Sequence, residues 1–162
     1  MEFPIDIVRS KRRKRTIAAY VVDGRIRVLV PAGLPAEQEA ALVQEMAAKA
    51  MRRHTRHKVD LLGRAHLLAN RYQLPLPEAI EWSDRQLVRW GSCSTGSRRI
   101  RLSSRLATMP EWVLDWVIVH ELAHLVEANH GPRFQALVGR YELGERAEGY
   151  LIAKSEEAAV PG

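Results

Sequence analysis

The chain is poor in several things, and each shortage excludes something. It has one cysteine, Cys93, so no internal disulfide can form and a reducing compartment suits it. It has two phenylalanines and 6% aromatic residues. No run approaches the roughly 18 apolar residues of a membrane-spanning helix. No apolar stretch accompanies the charges of the amino-terminal MEFPIDIVRSKRRKR, so no secretory signal is visible and a cytoplasmic protein is expected. No internal repeat, linker or low-complexity block interrupts the 162 residues, which predicts one domain over 1–162.

What is present is a soluble, globular composition, 46% apolar and 27% charged. Twenty-five basic residues against 19 acidic leave a net charge of +6, compatible with an acidic or polyanionic partner without demonstrating one. The basic run Lys11 to Arg15 reads as a solvated loop joining two strands, because no aromatic residues interleave it as nucleic-acid recognition would favour.

The chemistry lies in WVLDWVIVHELAHLVEANHGPRF. On a helix of about 3.6 residues per turn, His120 and His124 lie one above the other and can offer a ring nitrogen each to one ion. Glu121 lies about 100° round from His120, within reach of a water but outside the ligand set. This is the HExxH pattern, in which zinc acidifies a water and the glutamate takes its proton. The apolar run Trp112 to Val119 strengthens that reading, since charges in such a helix need partners.

A catalytic zinc usually takes three protein ligands. His130 and Glu127 compete for the third place. Glu127 shares a face with the two histidines if the helix continues to about Ala128. His130 needs the helix to end first, and Asn129 with Gly131-Pro132 supplies a break, which favours His130. The spacing equals that of metzincins, but Glu127 stands where their motif has glycine.

Elsewhere, Thr16 to Val22, the Asp23-Gly24 turn and Arg25 to Val30 predict a hairpin. Ala36 to Lys58 predicts a helix whose His54 and His57 answer the dipole at its end, and Asp60 to Tyr72 predicts a second helix with a structural His66. Ala79 to Trp82 and Arg98 to Leu102 read as strands, with a turn or bulge across Arg89 to Ser97. Pro110 opens the motif helix. Arg133 to Tyr141 and Glu145 to Glu157 predict two last helices before a frayed tail, Ala158 to Gly162. The expected class is α+β, with a small antiparallel sheet packed on helices. So little chain remains around the motif that the cleft should be shallow and open, suiting extended polypeptide.

RWGSCS, IRLSSRL, VIVHELAHLVEANHGPRF and RYELGERAEGYL together resemble the YgjP-like metal-dependent hydrolases, a metallopeptidase family akin to the SprT-like proteases. The resemblance covers nearly the whole chain. It implies a zincin-like fold, one zinc ion on His120, His124 and His130, and Glu121 as catalytic base. It also places RWGSC beside the motif helix, with Arg99 to Leu102 as the edge strand that would hold an extended substrate. Gln135 departs from the pattern, in which an aromatic residue often follows the phenylalanine. The second electrophile for the oxyanion is left open among Tyr141, Tyr150, Arg133 and a backbone N–H. The alternative class is a zinc-stabilised nucleic-acid-binding module, closed by Cys93 as fourth ligand, or a protease acting on DNA-associated proteins.

Overall fold

The structure, a computed structural model, describes residues 3–159. They gather into two compact units, Met1–Lys58 and Val59–Gly162. The expected tail lies outside the described residues from position 160 onward.

In the first unit, strands β1 (Ile5–Ser10), β2 (Ala18–Val22) and β3 (Arg25–Pro31) form one sheet in the order β1-β3-β2. The alternation in β3 decides its faces: Ile26, Val28 and Val30 are buried, while Arg25 is exposed. Asp23 and Gly24, with φ of 50° and 69°, form the two-residue turn that the sequence predicts between β2 and β3. Helix α1 (Ala36–Arg56) covers the buried face through Val43, Ala47 and Ala50. His54 lies in its last turn with Arg53 and Arg56, and its ring meets Phe3 edge-on at 5.9 Å. The basic run is the loop between β1 and β2, where Arg13 bonds Thr16 at 3.1 Å.

The second unit begins with α2 (Leu61–Tyr72), capped by the Asp60 carboxylate, which accepts from the Gly63 N–H at 3.0 Å. Strands β4 (Ala79–Ser83), β5 (Gly91–Ser94) and β6 (Arg99–Ser103) follow in the order β4-β6-β5. A 3-10 turn, Ser104–Thr108, leads to α3 (Glu111–His124), then α4 (Pro132–Val138) and α5 (Gly144–Ala159).

The α+β class holds, but the sheets are mixed rather than antiparallel. β1 runs parallel to β3, and β4 runs parallel to β6. Two further corrections concern the second sheet. The stretch expected as a turn or bulge contains β5, whose GSCS lacks every strong strand former yet pairs antiparallel with β6. β6, expected at the edge, is the central strand; β4 and β5 are the edges.

Candidate active site

Helix α3 is enclosed. α2, α4, α5 and the strands β5 and β6 all pack on it, and nine of its 14 residues are buried. Val117, Ile118, Val119 and Leu122 are at most 4% exposed, each side chain contributing about 1.5–3 kcal/mol by leaving water. Enclosure of this kind makes any polar group on α3 dependent on a partner. Two carboxylates are buried there, and they are treated differently. Asp115 is paired bidentately with Arg64 of α2. Glu121 is not: its Oε2 is buried without a hydrogen-bond partner. Burial pushes the Glu121 carboxyl up to about 7, against the pull of Arg89.

Gly91, the first residue of β5, explains how Glu121 fits. A Cβ there would lie 2.6 Å from Glu121 Oε1 and 2.9 Å from its Cγ, so only glycine lets the strand pass so near the carboxylate.

α3 ends at His124, not near Ala128 as its apolar pattern suggested. Leu125 and Val126 donate to carbonyls three residues back, tightening the chain out of the helix. Because α4 starts at Pro132, the return is compressed into a few residues, and it brings His130 back over the helix end. The ligand-capable atoms of His120, His124 and His130 all lie within 4.8 Å of one another. The Nε2 atoms of His120 and His130 are 3.2 Å apart. His124 directs Nδ1 at the Glu127 carbonyl, 3.1 Å away, which leaves Nε2 free to face the other two rings.

Glu127 therefore no longer shares a helix face with the histidines. Its carbonyl orients His124, and its carboxylate approaches Arg133 at 4.0 Å. Phe134, 1% exposed, forms the floor: its ring lies 4.5 Å from that of His124, 4.7 Å from that of His130 and 4.9 Å from that of His120. Burial, reinforced by the two neighbouring imidazoles, pulls His120 down to about 4, so its ring is neutral and its lone pair available.

Residues 44–142, more than half of the chain, match the YgjP-like metallopeptidase domain. The chain belongs to that family. It is a metallopeptidase, and its substrates are polypeptides. Among solved structures it is similar to the metallopeptidase zymogen of Methanocaldococcus jannaschii jannalysin, at 20% identity over 59% of this chain and 97% of that one, with a TM-score of 0.50. That likeness shows a shared zincin-like fold. No match was found among curated proteins.

A cavity of about 580 Å³ opens beside His120 and Glu121 in this family member, and α5 walls one side of it.

Of the electrophiles named from sequence, Tyr141 is 7% exposed and donates its hydroxyl to the Trp112 carbonyl at 2.7 Å. Tyr150 meets the Trp112 ring edge-on, and Arg133 stands in solvent near Glu127. None of the three lines the cavity. Arg89, which sequence reasoning passed over, does line it and acts on Glu121.

Cys93 is not among the clustered metal-ligating residues. Burial and the nearby Glu121 charge push its thiol up to about 11, which keeps it protonated. Among the described residues no helix is long and apolar enough to cross a membrane.

Proposed function

We infer that His120, His124 and His130 hold one zinc ion and that Glu121 is the general base for hydrolysis of peptide bonds in extended polypeptide. One observation carries the reading: three convergent imidazoles stand beside a buried carboxylate whose Oε2 has no partner. The donor set suits the ion, since neutral imidazole is a preferred zinc donor and three protein ligands are the number of a catalytic site. Two ring nitrogens facing each other at 3.2 Å would be satisfied together by a shared cation.

Zinc bound there would polarise the scissile carbonyl and acidify a water. Glu121, raised toward neutrality by burial, is matched to accept that proton and to return it to the leaving amine. Glu127 holds His124 in one tautomer through its carbonyl. The outer edge of β5 pairs with no strand among the described residues, and it lies beside Glu121 through Gly91. An extended substrate would add there as a further strand, with backbone N–H groups or Arg89 steadying the oxyanion. This reading takes residues 1–162 as one cytoplasmic enzyme.

The test is cleavage of an unfolded protein by wild type, by Glu121→Gln and by wild type with chelator, with zinc measured in each. Zinc-dependent cleavage lost in Glu121→Gln, with zinc retained, is the expected result. A fully active Glu121→Gln enzyme overturns the mechanism.

A second reading, nucleic-acid binding alongside proteolysis, has one observation in its favour. The +6 charge is segregated: residues 1–58 hold 13 basic and 6 acidic residues, against 12 and 13 in 59–162. Binding to DNA that weakens with salt supports it, and absence of binding at low salt removes it.

A further inference from the structure

The cavity beside His120 and Glu121 falls within the ~300–1,000 Å³ range of sites that enclose a small ligand or a few residues of a chain. Trp90 before β5 and Gly91 at its start, Trp116 and Val117 of α3, and Phe134 and Val138 of α4 form one part of its wall beside His120 and Glu121. An equal part is α5. Glu148, Leu151, Ile152, Ser155, Glu156 and Ala159 line it, and their spacing of three or four residues makes one stripe along the helix.

That stripe is not what a helix needs in order to complete a core. α5 buries Ala147 outside the stripe and Leu151 within it, as an amphipathic helix does. The rest of the stripe leaves Ile152 56% exposed and sets two carboxylates among apolar positions.

We propose that α5 determines specificity: the cavity takes a bulky apolar side chain of the substrate next to the cleaved bond, and Glu148 and Glu156 favour a lysine or arginine near it. This rests on the peptidase reading above. The apolar part follows from Trp90, Trp116, Leu151 and Ile152, which offer a large side chain aromatic and aliphatic contact and offer a small one empty space. The basic part follows from charge. Among the lining residues the cation Arg89 acts on Glu121, so it stands at the reacting end, while both lining carboxylates besides Glu121 belong to α5. Eight helical residues separate Glu148 from Glu156, a rise of about 12 Å, which extended chain covers in roughly three to four residues. A basic side chain within about two positions of the bulky one therefore reaches one or other carboxylate, and an acidic one is repelled.

The experiment maps the cut sites of a reduced, alkylated unfolded protein treated with zinc-loaded full-length enzyme. It compares wild type, Ser155→Trp, which fills the cavity from an exposed helix position, and the Glu148→Lys/Glu156→Lys double variant. Circular dichroism and zinc content confirm that each is folded. Wild type should cut beside Phe, Tyr, Trp, Leu or Met with Lys or Arg within two positions. In Ser155→Trp, kcat/KM on a peptide of that kind should fall by about 10–100-fold. The double variant should reverse the charge preference. Unbiased wild-type cut sites, or an identical set in all three proteins, overturn the proposal and leave the peptidase reading standing. Should wild type cut nothing, a Phe-Lys peptide is titrated into the zinc-loaded protein and followed by tryptophan fluorescence. Saturable quenching that is weakened by the double lysine variant upholds the cavity assignment against a failed peptidase reading, and no quenching overturns both.

Discussion

The two units build the same arrangement of three strands and a helix twice, and among the described residues only one copy carries a cluster of metal-ligating side chains. In each, three strands are followed by a helix, and the third strand lies centrally, parallel to the first and antiparallel to the second. The helices differ in enclosure. α1 has 21 residues and buries three of them along one stripe, so Glu45 is simply hydrated. α3 has 14 and buries nine, because helices and strands cover it on several sides. Glu37 and Glu45 of α1 are ordinary surface acids, and Glu39 is half-buried against Arg9. On α3 a carboxylate must be paired, as Asp115 is, or held near neutrality, as Glu121 is. Strand order alone therefore does not set the state of a carboxylate; the covering of the helix does.

The sharpest test of that contrast replaces one carboxylate in each helix. Glu121→Gln should lower kcat by about 10²–10⁴-fold with zinc retained, while Glu45→Gln should leave kcat unchanged. Equal effects on peptide turnover would mean that enclosure is not what separates the helices. Next in size is the metal. His130→Ala should weaken zinc binding by more than the roughly 10–100-fold that loss of an outer hydrogen-bond partner costs. Glu127→Gln should change it little, since the Glu127 carbonyl, not its carboxylate, holds His124. Competition with a chromogenic chelator measures both, and the reverse ranking would make Glu127 the ligand.

Much of this site was legible in the sequence because its information is local. Four-residue spacing on one helix places His120 over His124, and Gly131-Pro132 marks a break that can return His130. The helix ends about four residues before the sequence suggests because Leu125 and Val126 continue the apolar pattern, while the constraint that stops them is the nearby start of α4. Non-local facts were not legible. Parallel pairing of β4 with β6 leaves no trace in either strand alone, so nothing in its sequence marks β6 as central. β5 was missed because Gly91, Ser92, Cys93 and Ser94 carry no strand signal, and the tertiary partner overrides propensity. The one available hint was the glycine in RWGSC, whose missing side chain is the space that Glu121 occupies.

Gly91→Ala probes that space directly. Its methyl group would press on the Glu121 carboxylate, and relieving the clash should cost about 1–3 kcal/mol while displacing the proposed base. Lower kcat with zinc unchanged is expected from steady-state kinetics and metal analysis; an unaffected rate would show that Glu121 can shift without consequence. The paired acid should behave differently. Asp115→Ala leaves Arg64 with Glu111 at the surface, so the loss should be about 1–3 kcal/mol, below that of a fully buried pair. Urea unfolding reads it, and any effect on kcat should follow stability rather than precede it.

The smallest expected effect lies in the other copy. Lys11, Arg12, Lys14 and Arg15 are exposed in the loop between β1 and β2, where five like charges follow one another. Arg13 is the member of the run with a bond to a neighbouring side chain, Thr16, and it should be left in place. Changing the other four to glutamine removes no packed contact, so stability should move by no more than about 0.5 kcal/mol. The sign can be favourable, because mutual repulsion in the folded loop is relieved. Peptide turnover should be unchanged, since the proposed zinc ligands and base all lie in α3 and the turn after it. If the first unit binds DNA through these charges, the same variant should bind less tightly at low salt and show a flatter dependence on salt. A fall in stability of several kcal/mol would instead make the run a structural element of the sheet, and the charge segregation would then say nothing about partners.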